Sequence, residues 1–143
     1  MRYYTSLVVL LSSLSIFGQA EDLVDWQFTL SEDGTELEIE ATIATDWVIY
    51  SQHTDPDGPI PLEFEFTDLS GVELDGAVVE LTKPITELSD LFDLTVMKFK
   101  KKATFKQKLK LTEGKPNIKG TVTYMSCDAT RCLPPKTVPF EVE

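Results

Sequence analysis

Cys127 and Cys132 are the only cysteines in this 143-residue chain, and four residues separate them. A thiol pair at that spacing can close into a disulfide and open again, releasing or taking up two electrons. The ring it closes is very small. On the chain-entropy model such a ring contributes roughly 2 kcal/mol, against about 4 to 5 for a loop of a hundred residues. A disulfide placed for stability alone gains more from a long-range bridge, so the local position points to a bond meant to open and close. The same spacing also fits a staple at a hairpin tip. The pair is too close to be the inter-sheet disulfide of antibody domains, which joins distant strands. It is not the Cys-x-x-Cys pair of thioredoxins. A zinc site needs more ligands than two cysteines and the single His53. No metal and no cofactor are expected, and His53 is given no role.

The N-terminus indicates the compartment. Arg2 is followed by an apolar run from Leu7 to Phe17, broken only by Ser12, Ser13 and Ser15, and then by Gly18-Gln19-Ala20. This is the pattern of a cleavable secretory signal, too short to span a bilayer well. The expected organisation is a signal peptide over 1–20 and one domain over 21–143. No later segment is apolar enough to cross a membrane. The product is expected to be soluble, exported, and held where disulfides persist.

Removing Arg2 leaves 12 basic and 24 acidic residues, a balance of −12. Such acidity argues against nucleic acid as a partner. Residues 21–97 hold 20 acids and only Lys83 as a base, whereas residues 98–143 hold 11 bases and 4 acids. Lys102, Lys106, Lys108 and Lys110 alternate with Ala103, Phe105, Gln107, Leu109 and Leu111, the pattern of a solvated strand face.

The elements that must position the cysteines are strands. Trp26, Phe28 and Leu30 alternate with polar residues, and Ser31-Glu32-Asp33-Gly34 signals a turn. Alternation returns at Leu37 to Ile43 and at Leu62 to Phe66. Short apolar stretches stand at Trp47 to Tyr50 and Val96 to Phe99. Val72 to Leu81 reads as a strand pair or one bent strand. Ala103 to Leu111, Gly120 to Met125 and Thr137 to Val142 complete the set. No segment holds a helical period. The expected fold class is all-β, an antiparallel sandwich. Cys127 ends one strand and Cys132 begins the return. Pro134 and Pro135 donate no backbone hydrogen bonds, so the return strand starts late and leaves the Cys loop open to a partner.

The run from Gly120 through Tyr124, Cys127 and Cys132 to Pro134-Pro135 resembles the redox loop of the N-terminal periplasmic domain of the thiol:disulfide interchange protein DsbD. Asp46-Trp47-Val48-Ile49-Tyr50 is similar to the aromatic strand beneath that family's redox pair. Asp90-Leu91-Phe92 resembles its cap loop, in which a phenylalanine covers the disulfide. Gly58-Pro59-Ile60-Pro61-Leu62 resembles a run found in single-domain relatives.

The resemblance implies an immunoglobulin-like β-sandwich that takes electrons from a membrane-embedded or thioredoxin-like donor. It would pass them to oxidised periplasmic proteins, a possible protein-disulfide reductase role linked to cytochrome c biogenesis. It implies that Cys132 forms the mixed disulfide and Cys127 resolves it. Phe92 matches the cap, and Tyr50 an active-site tyrosine; Asp90 and Tyr124 are supporting candidates. Three departures stand out: the loop is one residue shorter than the family's best-known one, Val48 replaces a second tyrosine, and Leu91 replaces a cap-loop acid. No transmembrane or thioredoxin-like domain is visible in the chain, so the reductant is expected on another polypeptide.

The residues themselves agree with these roles. A nearby cation favours the attacking thiolate. Cys132 has Arg131 beside it and Lys136 nearby, whereas Cys127 is followed by Asp128. The alternative function is an exported immunoglobulin-like binding domain with a purely structural disulfide.

Overall fold

Apolar residues at every second position force strands to turn one face inward. The computed structural model, which describes residues 22–143, follows that rule. The signal-peptide reading of residues 1–20 lies outside the described residues, as does Glu21. No helix occurs among the described residues.

Twelve strands form the domain. They are β1 (Val24–Leu30), β2 (Glu36–Ile43), β3 (Val48–Tyr50), β4 (Glu63–Ser70), β5 (Val72–Leu74) and β6 (Val79–Glu80). They continue as β7 (Ile85–Ser89), β8 (Leu94–Lys100), β9 (Lys102–Leu111), β10 (Asn117–Tyr124), β11 (Ser126–Cys127) and β12 (Lys136–Val142). Every pairing between them is antiparallel. One sheet runs β1-β2-β9-β5, with β6 also on β9; a second runs β12-β10-β4; a third runs β11-β3-β8-β7. The stretch read as a strand pair or bent strand over 72–81 is thus two short strands on the same edge of β9.

The inward faces meet in one main core. Leu37, Ile39 and Ala41 of β2 meet Ala103 and Phe105 of β9, with Ile118 and Val122 of β10 opposite. Rings bridge the layers: Phe28 stacks on Phe140 at 4.1 Å, and Phe64 meets Phe105 edge-on at 5.2 Å between centroids. Gly120 sits at a register shift between β4 and β10. A side chain there would run into the Glu65 carbonyl and the Phe140 ring. On β9, Ala103, Phe105, Gln107 and Leu109 are buried between outward lysines. Lys102 and Lys106 pair with Glu40 and Glu36 of β2 at 3.0 and 3.2 Å, so the basic run is a solvated face with acids across it.

Two corners carry the chain into the third sheet. β10 pairs with β4 as far as Thr123 and with β12 as far as Tyr124, and then the chain leaves them at Met125. β11 joins β3 instead, with Ser126 opposite Ile49 and Cys127 opposite Val48. The other corner is Lys101, a single left-handed residue (φ 66°) between β8 and β9. Ile49 and Phe99 turn one face of the third sheet into the main core. Its opposite face is the floor of the functional site.

Candidate functional site

Side chains of paired residues in an antiparallel sheet share a face. Cys127 pairs with Val48, Val48 pairs with Lys100, and Tyr50 pairs with Lys98. Cys127, Val48, Tyr50 and Val96 therefore lie on the face away from the main core. With Met125 they form a second hydrophobic cluster, and Phe92 and Leu94 pack against it.

The disulfide joins this cluster to solvent. Cys127 and Cys132 are bonded, with Cα atoms 4.0 Å apart. They form an isolated antiparallel bridge flanked by two backbone bonds, Leu133 N–H to Ser126 O and Asp128 N–H to Arg131 O, each 2.9 Å. This is the non-hydrogen-bonded register, in which paired backbones lie closest. Cys127 is 0% exposed, whereas Cys132 is exposed. Pairing then lapses through Pro134-Pro135 and resumes at Lys136, the late return expected of residues without donors.

The loop tip is held by Asp128. Its Oδ1 accepts the N–H groups of Thr130 and Arg131 at 2.9 and 2.8 Å. Those backbone bonds hold its carboxyl below the usual range, with a smaller contribution from the Arg131 charge. The Arg131 guanidinium lies 3.5 Å from the Asp128 carboxylate and 5.5 Å from the centroid of the Trp47 ring. Lys136 donates to Asp22 at 2.6 Å. Both cations near Cys132 thus have carboxylate partners of their own. The larger asymmetry between the two sulfurs is exposure, a difference that residue order alone does not display.

Phe92 projects from the turn between β7 and β8. Asp93 closes that turn with a left-handed φ of 54°, a conformation aspartate tolerates, and donates its N–H to Ser89 O at 2.8 Å. The Phe92 ring meets Tyr50 edge-on at 6.0 Å between centroids. Tyr50 is buried, and burial pushes its phenol above the ordinary value, so it stays neutral near pH 7. Asp90 is exposed on the same turn and lines a groove of about 780 Å³. Trp47, Tyr50 and Val96 line that groove from the floor, Leu88 and Leu91 from the rim, and Asp128 to Thr130 from the redox loop. Tyr124 lies elsewhere: its ring packs on Trp26 at 5.5 Å within the main core.

Sequence reasoning gave no role to Val96, Met125 or Arg131 as a partner of Trp47. Val96 was within reach, since it shares strand parity with Lys98 and Lys100. Met125 and the Arg131–Trp47 contact depend on the chain changing sheets, which no local pattern announces. Among the described residues no group of three or more His, Cys, Asp or Glu side chains is placed to hold a metal, and no helix is long and apolar enough to cross a membrane.

Solved structures share this fold. The chain is similar to the reduced Neisseria meningitidis DsbD N-terminal domain, with 14% identity, a TM-score of 0.58, and 84% of each chain covered. It is similar to the structure of the complex between the DsbD and PilB N-terminal domains from the same organism, with 15% identity, a TM-score of 0.60, and 82% of this chain and 80% of that one covered. It is also similar to the N-terminal periplasmic domain of ScsB from Proteus mirabilis, with 17% identity, a TM-score of 0.58, and 83% of this chain and 44% of that one covered. Identities this low establish a shared fold, the immunoglobulin-like sandwich. No curated protein matches the chain. A family model settles the relationship beyond fold: residues 19–143 match thiol:disulfide interchange protein DsbD, N-terminal, and the chain belongs to that family.

Proposed function

We propose that this protein is a periplasmic thiol-disulfide exchange module that relays electrons through the Cys127–Cys132 pair. Its donor is a thioredoxin-like or membrane-linked protein, and its acceptors are oxidised exported proteins. The observation that carries the reading is the unequal burial of one disulfide. Cys132 is exposed and Cys127 is 0% exposed beneath it. A donor thiolate reaches only the Cys132 sulfur. It forms a mixed disulfide there, and Cys127 leaves with the electron pair as a thiolate. The donor's second thiol then releases the reduced domain. In the forward transfer the Cys132 thiolate attacks a substrate disulfide, and Cys127 displaces the substrate's remaining sulfur. The net result is one disulfide exchanged for one dithiol, with two electrons transferred and two protons following.

Phe92 serves as the cap. It rests on Tyr50 and on the cluster containing Cys127, and a partner that moves its turn opens the pair. The Neisseria meningitidis DsbD domain that this chain resembles has been seen in complex with the PilB N-terminal domain. That likeness supports a protein partner for this domain. A purely structural disulfide accounts less well for a bridge with one cysteine buried and the other exposed on a loosely paired hairpin.

Two measurements test the reading. The reduction potential of the purified protein is expected well above about −300 mV, the level below which structural bridges lie. Cys127→Ser is expected to accumulate a covalent complex with a thioredoxin-like donor lacking its resolving cysteine, whereas Cys132→Ser traps little. Equal trapping by both variants would remove the assignment of roles. A potential below that level, with no trapping, would leave the structural disulfide and the binding domain as the function.

A further inference from the structure

The exposed arm of the hairpin, Arg131 to Pro135, has few backbone tethers. Leu133 and Asp128 supply the two bonds that flank the disulfide, and the prolines that follow donate none. One long side chain reaches from this arm to the sheet. Arg131 spans from the Asp128 carboxylate to the face of the Trp47 ring, at 3.5 and 5.5 Å. Trp47 is itself fixed, because it packs against the main core at the start of β3. The contact therefore ties the exposed arm that carries Cys132 to the sheet that carries Cys127.

We propose that Arg131 and Trp47 are positioning residues, a clasp that holds the Cys132 arm in register so that Cys127 closes the ring. This rests on the exchange reading above. The clasp matters at the second step. After Cys132 has formed a mixed disulfide with a substrate, the Cys127 thiolate attacks the Cys132 sulfur. The Cys127–Cys132 bond forms, the bond to the substrate sulfur breaks, and that sulfur leaves as a thiolate with the electron pair. An arm held in place raises the effective concentration of one sulfur at the other. An arm set free must be ordered again before each closure, which weakens the disulfide relative to the dithiol and slows resolution.

The test uses the purified protein, equilibrated with glutathione buffers and then followed from its Cys132–glutathione mixed disulfide. An exposed cation-ring contact and an exposed ion pair are each modest. Arg131→Gln is therefore expected to lower the ring-closure equilibrium constant threefold to tenfold, a potential less negative by about 15 to 30 mV. Release of glutathione by Cys127 should slow by a similar factor. Trp47→Leu should do the same, Trp47→Phe should restore part of the effect by keeping a ring face, and the double variant should lose no more than either single one. Non-additivity of that kind marks two groups acting as a unit. Arg131 is exposed, so Arg131→Gln alone decides the matter if Trp47→Leu proves unstable. Unchanged potential and release in Arg131→Gln, or effects that multiply in the double variant, would overturn the clasp and leave the exchange reading intact. A parent disulfide that glutathione cannot reduce at all would instead sink the exchange reading.

Discussion

The two hydrophobic clusters of this domain are closed in different ways. In the main core Leu37, Ile39, Ala41, Phe105, Ile118 and Val122 are 0% exposed, and apolar faces cover them from more than one sheet. In the smaller cluster Val48, Tyr50, Val96, Met125 and Cys127 lie on one face of one sheet, with Phe92 and Leu94 against them. Opening the first would separate layers whose rings interlock. The second is covered by Leu94 of β8 and by Phe92, which stands on the four-residue turn Asp90 to Asp93. The two clusters thus differ in what covers them: sheet on both sides in the first, and in the second a turn residue, Phe92, which we propose controls access.

Damaging each cluster in turn should have unequal effects. Phe105→Ala empties space beside Phe64 and Phe99. It should cost about 3 to 5 kcal/mol of stability, a large share of the roughly 5 to 15 that holds a domain together. Urea unfolding of the oxidised protein would measure it. Reducing the disulfide should cost less, about 2 kcal/mol, because the ring it opens is small. The reduced protein should keep its strand content by circular dichroism and unfold in a single transition at lower urea. A reduced form that collapses altogether would mean that the smaller cluster is structural after all.

Phe92→Ala should be milder still for the fold, costing about 1 to 2 kcal/mol for a half-buried ring with no sealed cavity to leave behind. Its main effect is expected on chemistry: the reduced thiols should react faster with small alkylating reagents and the disulfide should be reduced faster by dithiothreitol. Unchanged reactivity would make Phe92 an ordinary packing residue and erase the distinction between the clusters.

The smallest effect concerns pH. The Asp128 carboxyl is lowered from its ordinary value of 3.8, chiefly by the N–H groups of Thr130 and Arg131. A lowered carboxyl contributes order above its unfolded pKa and loses it as pH falls through the folded one. The redox loop should therefore stay ordered at neutral pH and loosen only below about pH 4. Amide exchange at Thr130 and Arg131 would report it, and Asp128→Asn, which keeps an acceptor oxygen, should remove the pH dependence. The main core should not respond in that range through any group of the loop.

Much of this was legible along the chain. Strict alternation in Leu37 to Ile43 and Ala103 to Leu109 set which side chains turn inward, whereas Leu111, expected on the same face, is exposed at the end of β9. The Pro-Pro pair marked the late return strand, and the spacing of Cys127 and Cys132 marked a local disulfide. The order of aromatic strand, cap segment and Cys loop was visible as a resemblance to the DsbD family. What escaped was β7, and the choice between a strand pair and one bent strand over 72–81, which the structure resolves as β5 and β6. Ile85 to Ser89 is mostly exposed, so burial stamps no alternation on it. β5 and β6 are short because they share the edge of one longer strand.

The sequence by itself determined the strand faces, the covalent pair and the residues able to surround it, because period-2 patterning, ring size and missing proline donors are local properties. It could not determine which cysteine meets solvent. That depends on the chain leaving β10 at Met125 and joining β3, which buries Cys127 on Val48 and leaves Cys132 on the open arm. Nor could it bring Phe92 to Tyr50 or Arg131 to Trp47, pairs separated by 42 and 84 positions. Such contacts follow from how sheets stack and where strands change partners, and those are settled by the packing of the whole domain.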